Sequence, residues 1–415
     1  MRVLILAAGK GTRLNPLTVT KPKHLLPIAG KPLLARTLKI LADIGLKDIG
    51  IVVHYYAEKI MNIFKDGSEY GVKIKYIYQE TLNGTGGAVE IAKEFLEGNE
   101  CLVVYGDVTL DKAVLEDFIK FFEREQPDAL ILGVRVSNPK EFGVLITKGN
   151  TLINILEKPK GIEVESNLIN AGIYLFKPKV LDALKEIGYS DRGEKELTDA
   201  LRVLSKKGKV LVFDGGSNWW YDIGRPWDLI DANKKFLEAL KTDIKTKSLS
   251  DVRIIGDVVI EEDTEVLPGS VIIGPTYIGS NVKIGYNSVI GPHTSIGNNV
   301  KIGPLCYIAG SIIMDEVNIN SHCSVFESII GERVYLECGV KIPSVNIYGG
   351  EIRVWVKGKK VNCGRSRLGA IIGDRVKVGA NASFAPGVVV APNNTIPPNS
   401  YVGRDIVEIG SQSQN

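Results

Sequence analysis

Residues 272–303 read IIGPTYIGSNVKIGYNSVIGPHTSIGNNVKIG, and this stretch sets the architecture of the second half of the chain. An aliphatic residue recurs at every sixth position, and glycine follows most of these positions. A period of six fits neither an amphipathic helix, with its period of about 3.6, nor an alternating strand, with its period of about two. It is typical of a triangular β-helix, in which each short strand forms one face and one aliphatic side chain per face points inward. We expect the glycines at the corners, where the backbone turns sharply.

The same register extends beyond the quoted stretch. Counting in sixes from Ile254 to Met314 meets only aliphatic residues or methionine, and the register resumes from Ile372 to Val402. It fails between about 318 and 371, where residues 348–367 are rich in lysine and arginine. We therefore predict a left-handed parallel β-helix of hexapeptide repeats over 250–415, with a basic excursion or hairpin near 346–370. This excursion is either a solvated loop or a surface for a ligand or a neighbouring subunit.

Residues 1–230 follow a different pattern, in which apolar strand-like runs alternate with stretches of helical spacing. Strands are predicted at 1–6, 49–54, 74–78, 102–105 and 129–136, and helices at 32–44, 88–96 and 113–125. This alternation predicts an α/β domain with a Rossmann-like mixed sheet, mostly parallel and covered by helices on both faces. Residues 231–249 are predicted to form a linker helix between the two domains.

Composition narrows the class of protein. The chain has 415 residues, with 51 Lys and Arg against 48 Asp and Glu, so its net charge is only +3. That balance gives no reason to expect a nucleic-acid partner or an anionic membrane. No apolar run approaches the roughly 20 residues of a transmembrane helix, and the N-terminus lacks the apolar core of a signal peptide, so we expect a cytoplasmic protein. The five widely spaced cysteines suit small buried thiols better than a zinc site or disulfides.

A glycine-rich turn follows the first predicted strand. Residues 3–14 read VLILAAGKGTRL, which is neither the dinucleotide-binding pattern G-x-G-x-x-G nor a P-loop. Such a turn allows backbone N–H groups to approach a polyphosphate closely. Arg13 and Lys23 flank the turn, and two cations beside it suit a triphosphate.

The same residues resemble a known family. The segments LAAGKGTRLNPLT at 6–18 and KPKHLLPIAGKPLL at 21–34 are similar to the signature of the sugar-1-phosphate nucleotidylyltransferases. Further segments continue the resemblance in the family's order: NGTGGA at 83–88, YGD at 105–107, FGVL at 142–145, EKP at 157–159, NAG at 170–172 and WYDIG at 220–224. The match spans about residues 1–230. It implies an enzyme that joins a sugar 1-phosphate to the α-phosphorus of a nucleoside triphosphate and releases pyrophosphate.

The resemblance also implies roles for individual residues. Asp107 and Asp222 would hold Mg²⁺, which prefers oxygen ligands and keeps several waters. Arg13 and Lys23 would be the catalytic cations, the first on the triphosphate and the second around the reacting phosphates. The implied nucleotide-binding set is Ala7, Ala8, Gly9, Gly11, Thr12, Gln79, Gly84 and Thr85.

For the sugar, the resemblance points to groups that suit the recognition of hydroxyls. The implied set is Gly143, Glu157, Lys158 and Asn170. Tyr174 and either Trp219 or Trp220 would pack on the sugar face or else belong to the core. The expected substrates are UTP or dTTP with glucose 1-phosphate or N-acetylglucosamine 1-phosphate, and GTP with mannose 1-phosphate is the alternative. The sequence does not decide among them, because the choice depends on small differences in pocket shape.

The role of the tail is open. It is similar to the tail of archaeal bifunctional enzymes that also acetylate glucosamine 1-phosphate with acetyl-CoA, and His322 stands near the place of their general base. The tyrosine of the family's His-x-x-Tyr, however, falls on Val325, and other substrate contacts are not matched. The tail is otherwise a scaffold that assembles the chain as a homotrimer or a higher oligomer. A non-catalytic regulatory subunit is a further alternative, but such subunits typically lack residues of the glycine-rich loop or of the metal site. This sequence contains all of them, namely Gly9, Gly11, Arg13, Lys23, Asp107 and Asp222.

Overall fold

The computed structural model describes residues 1–159, 166–190, 193–217 and 220–411. The chain divides into two units, one made of Met1–Lys10 and Leu33–Asp222, the other of Gly11–Pro32 and Ile223–Asn415. Gly11–Pro32, which we call the signature segment, therefore packs with the C-terminal half of the chain. Among the helices of the described ranges, none combines the length and the apolar character that crossing a membrane requires.

The first unit is built on the predicted mixed sheet. In order across the sheet, its strands in the described residues are Lys73–Tyr78, Asp48–Val53, Arg2–Leu6, Cys101–Tyr105, Leu168–Phe176, Ala129–Arg135, Val210–Asp214, Thr151–Glu157 and Gly143–Lys148. The first four are parallel, and Leu168–Phe176 is antiparallel to both of its central neighbours. Arg2–Leu6 and Cys101–Tyr105 are nearly continuous aliphatic runs, because helices cover both faces of the sheet.

Helices connect these strands. They are Leu33–Asp43, Ala57–Phe64, Thr85–Ile91, Lys93–Leu96, Lys112–Glu125, Val180–Glu186 and Leu197–Ser205, with 3-10 turns at Ser68–Tyr70 and Pro139–Glu141. The helix predicted over 88–96 is thus two short helices that meet at Ala92. A separate antiparallel pair joins Val108–Leu110 to Trp220–Asp222.

Three parallel sheets dominate the second unit, and together they form the predicted left-handed β-helix. The first face contains Asp243–Ile244, Val258–Ile260, Thr276–Ile278, Thr294–Ile296, Ile312–Ile313, Ile329–Ile330, Ile371–Ile372 and Val389–Val390. The second face contains Arg253–Ile255, Val271–Ile273, Val289–Ile290, Tyr307–Ala309, Ser324–Phe326, Lys341–Ile342, Ser383–Phe384 and Tyr401–Val402. The third face contains Glu265–Val266, Lys283–Ile284, Lys301–Ile302, Asn318–Ile319, Tyr335–Leu336, Lys377–Val378 and Thr395–Ile396.

The expected six-residue register needs one correction. Ile278 pairs with Ile296, which pairs with Ile313 and not with Met314. Ile308 is the inward residue of the second face, and Ile313 is the next inward residue, on the first face. They are five positions apart instead of six, so the corner between them is one residue shorter. The following coils keep the shorter corner and continue to Ile342. The register that we predicted to fail from about 318 therefore persists in a shifted phase.

The basic excursion is a β-hairpin, as the sequence allowed. Its antiparallel strands are Arg353–Val356 and Lys359–Asn362. Ile330 pairs directly with Ile372. The triangular prism that the three faces form therefore continues without a gap on either side of the excursion. Arg365, which follows the hairpin, donates to Asp231 Oδ1 at 2.7 Å.

We expected the glycines that follow the inward positions to allow the sharp turn of the backbone at the corners, but the structure gives a different reason for most of them. Gly291 has a positive φ of 97°, but the left-handed corner positions are typically held by residues such as Asn281 and Asn287, each with φ of 54°. Asparagine tolerates this conformation better than most side chains. A Cβ atom at Gly285 would lie 2.5 Å from the carbonyl carbon of Gly303 in the next coil. Glycine is needed there because successive coils approach too closely for a side chain.

The helix Pro226–Glu238 packs on the first face. It begins five residues before the predicted linker helix of 231–249 and ends within that range, at Glu238. Its Leu237 shares a buried cluster with Ala29, Val259 and Tyr277. The same helix thus anchors part of the signature segment to the prism.

Candidate active site

The glycine-rich turn follows the strand Arg2–Leu6, as the sequence predicts. Ala7 and Ala8 are buried at the carboxyl end of this strand, whereas Gly9 and Lys10 are exposed. The N–H of Ala7 still donates to the carbonyl of Val52, at 2.9 Å. The turn therefore brings backbone to the surface with only small side chains around it, which suits close approach by a phosphate.

Gly11 begins the part of the turn that belongs to the second unit, and its φ is 64°. Thr12–Leu14 form a 3-10 turn directly after it. Thr18 Oγ1 lies 2.9 Å from both the Gly11 carbonyl oxygen and Asn15 Oδ1. A Cβ atom at Gly11 would lie 3.2 Å from Cβ of Lys23. The signature segment is thus folded back on itself, with Lys23 beside the Gly11 backbone.

The predicted catalytic cations both belong to the signature segment. Arg13 is exposed, and a Cβ atom at Gly224 would lie 3.3 Å from its guanidinium group. Lys23 is half-buried and opens the 3-10 turn Lys23–Leu25. The guanidinium group therefore packs against the backbone of Gly224, and a residue with a side chain at position 224 would displace it.

The small antiparallel pair brings the backbone positions of the two predicted metal ligands close to each other. Asp222 lies opposite Val108 in this ladder, and Asp107 immediately precedes Val108. Both aspartates are half-buried. Two aspartates that are far apart in the sequence therefore lie near each other along the backbone, one in a strand and the other directly before the strand that pairs with it.

This pair fits the chemistry of magnesium. Across the described ranges, no group of three or more His, Cys, Asp or Glu could hold a metal by itself. Mg²⁺ usually binds through one or two carboxylates together with waters and substrate phosphates, without a complete protein cage. Asp107 and Asp222 match that requirement, and hard oxygen donors are the ligands that Mg²⁺ prefers.

Gln79, the predicted reader of the base, is 3% exposed and held by three contacts. Its N–H donates to the Val53 carbonyl at 2.9 Å, and its own carbonyl oxygen lies 2.8 Å from Nδ1 of His54. Its Nε2 donates to Asn83 Oδ1 at 2.9 Å. The first two contacts hold the backbone and the third orients the carboxamide, a group that can both donate to and accept from a base edge.

Gly84 and Thr85 lie at the start of the helix Thr85–Ile91. Gly84 has φ of 97°, and a Cβ atom there would lie 2.5 Å from the Lys195 carbonyl oxygen. Thr85 Oγ1 accepts from the N–H of Leu197 at 3.0 Å. The close approach of residues 195–197 explains why glycine stands at 84.

The structure brings three of the four predicted sugar-binding residues together. Gly143 pairs with Glu157 in the ladder. A Cβ atom at Gly143 would lie 3.0 Å from Glu157 Oε2 and 3.7 Å from Cβ of Asn170. Lys158 follows with φ of 44°, and its side chain is exposed. Gly143 thus leaves room between a carboxylate and an amide.

The buried Tyr174 and the half-buried Tyr105 orient Asn170. Its Nδ2 donates to the Tyr174 hydroxyl at 2.7 Å, which donates to the Tyr105 hydroxyl at 3.0 Å. Its Oδ1 accepts from the N–H of Gly172 at 3.1 Å. Burial raises the pKa of Tyr105 to about 12, so this hydroxyl keeps its proton at neutral pH. No feature of the local sequence predicted this chain of hydrogen bonds.

The aromatic candidates for sugar packing differ in burial. Tyr174 has no exposed surface and belongs to the core, which agrees with the second of the two expected roles. Trp220 is half-buried, with its Nε1 donating to the Ala171 carbonyl at 3.0 Å. Trp219 lies outside the described residues.

His322 occupies an exposed corner of the prism, with φ of 62°. Its carbonyl oxygen accepts from Lys341 Nζ at 2.5 Å. Val325 instead points into the prism, where it stacks on Ile308 and Ile342. Position 325 therefore cannot present a side chain to a ligand bound at the imidazole.

Sequence reasoning missed Lys21. This lysine is 4% exposed and forms ion pairs with Asp374 and Glu332 of the β-helix. It stands two residues before Lys23 in the same motif. Nothing in the local sequence separates a buried, ion-paired lysine from one at the surface.

Fold and site together define a nucleotidyltransferase with a hexapeptide-repeat tail. Three family models match the chain: nucleotidyl transferase over residues 2–239, the GMPPB C-terminal domain over 272–363, and bacterial transferase hexapeptide, of six repeats, over 369–404.

Full-length relatives narrow the class further. The chain is 42% identical over 407 residues to "Bifunctional protein GlmU" of Methanococcus maripaludis strain S2, covering 98% of this chain and 95% of that protein. It is 37% identical over 422 residues to the bifunctional sugar-1-phosphate nucleotidylyltransferase/acetyltransferase of Sulfurisphaera tokodaii, covering 98% of each. A solved Bacillus anthracis structure, assigned as a glucose-1-phosphate thymidylyltransferase in complex with a sucrose, is 31% identical with a TM-score of 0.52, covering 56% of this chain and 94% of that one. The chain belongs to the nucleotidyl transferase family and is a sugar-1-phosphate nucleotidylyltransferase.

Proposed function

We propose that this enzyme transfers the nucleotidyl group of UTP or dTTP to glucose 1-phosphate or N-acetylglucosamine 1-phosphate with the help of Mg²⁺. The observation that carries the proposal is the pairing of Asp222 opposite Val108, beside Asp107. A pair of carboxylates to which the described part of the chain adds no third His, Cys, Asp or Glu suits a cation that is shared with phosphate groups. The glycine-rich turn and the two cations of the signature segment supply the complementary chemistry.

The reaction requires charge neutralisation more than proton transfer. The attacking oxygen belongs to the sugar 1-phosphate, which is largely a dianion at neutral pH because its second pKa is about 6. No general base is therefore needed. This oxygen forms a bond to the α-phosphorus while the bond from that phosphorus to the bridging oxygen breaks, and pyrophosphate leaves with the electron pair.

Arg13 and Lys23 are proposed to neutralise the phosphates. Arg13 has five N–H donors and suits the terminal phosphates, whereas Lys23 is a point charge for the reacting group. The backbone N–H groups of Gly9, Gly11 and Thr12 would bind phosphate oxygens. When bound at Asp107 and Asp222, Mg²⁺ supplies further charge neutralisation and orients the phosphates.

The base and the sugar are proposed to be recognised in the first unit. Gln79 is fixed by Asn83 and would pair with the edge of the base, with Ala7 and Ala8 lining its side. Gly84 and Thr85 would complete the nucleotide pocket. The group of Gly143, Glu157, Lys158 and Asn170 would bind the sugar hydroxyls. GTP with mannose 1-phosphate remains the alternative pair of substrates.

Acetyl transfer is a second candidate function. Two relatives that match 98% of this chain are named bifunctional, and one of those names includes acetyltransferase. His322 is exposed, and Lys341 Nζ donates to its backbone carbonyl oxygen, so its imidazole would be open to solvent as a base that takes a proton from the amine of glucosamine 1-phosphate. That amine would then attack the thioester of acetyl-CoA, form the amide and release CoA as the thiol.

Assembly through the β-helix is proposed from the character of its three faces. Outward positions of the first face, such as Tyr277 and Ile312, are buried within the described chain. Those of the third face include Lys283 and Lys301, which are exposed and charged. The second face has an outward row that contains Val271, Val289, Tyr307 and Tyr401 together with the polar residues Arg253, Ser324, Lys341 and Ser383. Val271, Val289 and Tyr307 follow one another in this row, and this apolar part of the face is the surface that a homotrimer would cover.

A panel assay tests these proposals. Pyrophosphate release is followed from UTP, dTTP, GTP, CTP and ATP, each with glucose, mannose, glucosamine and N-acetylglucosamine 1-phosphates, with and without Mg²⁺. Parallel wells contain glucosamine 1-phosphate and acetyl-CoA with a thiol reagent. We expect Mg²⁺-dependent release with UTP or dTTP. Release with GTP and mannose 1-phosphate alone would overturn the substrate proposal, and CoA release that His322→Ala removes would establish the second function.

A further inference from the structure

The strongest unassigned feature is a buried ion pair between the signature segment and the β-helix, both within the second unit. Lys21 is 4% exposed and Asp374 is 2% exposed. Lys21 Nζ lies 3.0 Å from Asp374 Oδ2 and 3.2 Å from Oδ1, and it also pairs with Glu332. Thr20 Oγ1 donates to Asp374 Oδ2 at 2.5 Å. Two consecutive residues of the signature segment therefore bind one buried carboxylate.

Asp374 also has a structural task inside the prism. Its Oδ1 accepts from the N–H of Glu332 in the preceding coil at 2.8 Å. Asp315 makes the same kind of bond to the N–H of Asn298, so this is a repeated corner contact. At the corner of Asp315 this contact uses one acceptor oxygen, Oδ1. At Asp374 the second oxygen, Oδ2, binds Thr20 and Lys21. This contact is not part of the bonding between coils of the β-helix.

The far end of the same segment is anchored separately. Ala29 N–H donates to Asn233 Oδ1 at 2.7 Å, and this oxygen also accepts from Ser295 Oγ at 2.9 Å. Gly30 lies against the ring of Tyr277. Residues 20–21 and 29–30 are thus fastened to different coils of the prism, with Lys23 on the stretch between them.

From this geometry we propose that Lys21 and Asp374 are positioning residues for nucleotidyl transfer, holding Lys23 and Gly11 in their reactive arrangement. The inference rests on the proposed function, because it takes Arg13 and Lys23 as the cations of the reaction. Lys21 itself is occupied by two carboxylates and does not serve a phosphate. Anchoring at both ends restricts the stretch that carries Lys23, and a displacement of about 1 Å in a catalytic group costs roughly a hundredfold in rate.

The hexapeptide tail consequently has a direct part in the first reaction. A tail that served only assembly would have no need of a buried charge pair on the signature segment. Burial of the pair excludes water, so its geometry is more strongly determined than that of a surface pair. The tail then acts as the support on which the signature segment is held.

Three full-length variants test the inference: Lys21→Met, Asp374→Asn and the double variant. Lys21→Met leaves Asp374 as an uncompensated buried charge, Asp374→Asn leaves Lys21 paired with Glu332 alone, and the double variant removes both buried charges. Asparagine keeps an oxygen that can accept the N–H of Glu332, so the prism corner survives. The matched control is Arg333→Met with Glu316→Gln, an exposed ion pair of 2.9 Å between adjacent coils of the same prism.

Two measurements are made on each variant, steady-state kinetics of pyrophosphate release and hydrogen exchange of peptides from residues 11–32. We expect the double variant to lose on the order of tenfold to a hundredfold in kcat. Its KM for the sugar 1-phosphate should not change, because the proposed sugar ligands belong to the first unit. Exchange should accelerate in residues 11–32 and not in the inward strands of the prism, and the control should match the wild type in both measurements.

The outcomes separate the two proposals. Wild-type kcat together with wild-type exchange in the double variant would overturn the positioning role. A fall in kcat accompanied by fast exchange throughout the prism would also overturn it, since the pair would then serve general stability. A wild-type enzyme that releases pyrophosphate with no pair of substrates would overturn the proposed function, while the exchange data would still decide whether the ion pair anchors the segment.

Discussion

Gly30 lies against the aromatic ring of Tyr277, and a Cβ atom on Gly30 would stand 1.9 Å from Cε1 of that ring. Ala29 and Gly30 have φ of 45° and 76° and connect the short strands Pro27–Ile28 and Lys31–Pro32. Two residues of positive φ between paired strands form the tight hairpin turn that matches strand twist. A hairpin of the signature segment is thus seated on the first face of the β-helix, where only glycine leaves room for the ring.

Gly30→Ala is expected to destabilise the second unit by about 2–4 kcal/mol. Backbone strain at positive φ contributes roughly 1 kcal/mol or more, and overlap with Tyr277 contributes about 1–3 kcal/mol. Urea unfolding followed by circular dichroism measures the loss. Gly45→Ala is the matched control, because Gly45 also has a positive φ, of 84°, but nothing lies within 4 Å of its Cβ position. Equal losses in the two variants would show that the contact with Tyr277 contributes nothing.

Asp107→Asn and Asp222→Asn are each expected to reduce Mg²⁺-dependent pyrophosphate release by on the order of a hundredfold or more. Loss of one preorganised charge-stabilising group typically has this size. Raising the Mg²⁺ concentration should recover part of the activity, since one carboxylate remains. Asp111→Asn is the control, because Asp111 caps the helix Lys112–Glu125 through Ala113 N–H and asparagine can also cap. Full activity in either metal-site variant would contradict the two-carboxylate site.

The stability of the second unit is expected to fall below about pH 6.5 through His293. Burial lowers the pKa of His293, Lys234 adds to this effect, and Glu238 opposes it. The folded state therefore favours the neutral imidazole, so its contribution is present above the unfolded pKa and is lost as the pH falls. Thermal unfolding at pH 8 and pH 5.5, at constant ionic strength, should show a larger drop in the wild type than in His293→Asn.

His293 has φ of 54°, a conformation that asparagine adopts elsewhere in the prism, so His293→Asn keeps the corner. His322→Asn makes the same exchange at an exposed corner with φ of 62° and controls for asparagine itself. An identical pH dependence in His293→Asn and the wild type would rule out this histidine as the cause.

Tyr307→Glu is expected to lower the mass of the assembly measured by light scattering. Tyr307 is 43% exposed and lies in the outward row of the second face, where a buried carboxylate would be costly. Tyr335→Glu places the same charge on the third face, at a tyrosine that is 37% exposed, and should leave the mass unchanged. A reversed result would move the proposed interface to the third face.

The β-helix was predictable because its period is a local property. Each coil repeats the same inward aliphatic position, so spacing alone indicated a prism. The loss of one corner residue before Ile313 was not predictable, since Ile313 and Met314 are both apolar and only the ladder shows which of them faces inward. The glycines were correctly noticed but misinterpreted, because contact between successive coils is absent from a linear pattern.

The sequence by itself determined the two kinds of architecture and the nucleotidyl transferase motifs with their charged residues. Periodicity and motif spacing are local properties, so they can be read from the order of residues alone. Tertiary structure alone decided which of those residues meet. Asp107 and Asp222 are neighbours only through strand pairing, and the orientation of Asn170 comes from Tyr174 and Tyr105. Likewise Lys21 is a buried anchor rather than a surface cation only because Asp374 lies beside it. Such contacts join distant parts of the chain, and their energies depend on burial, which no local pattern of residues specifies.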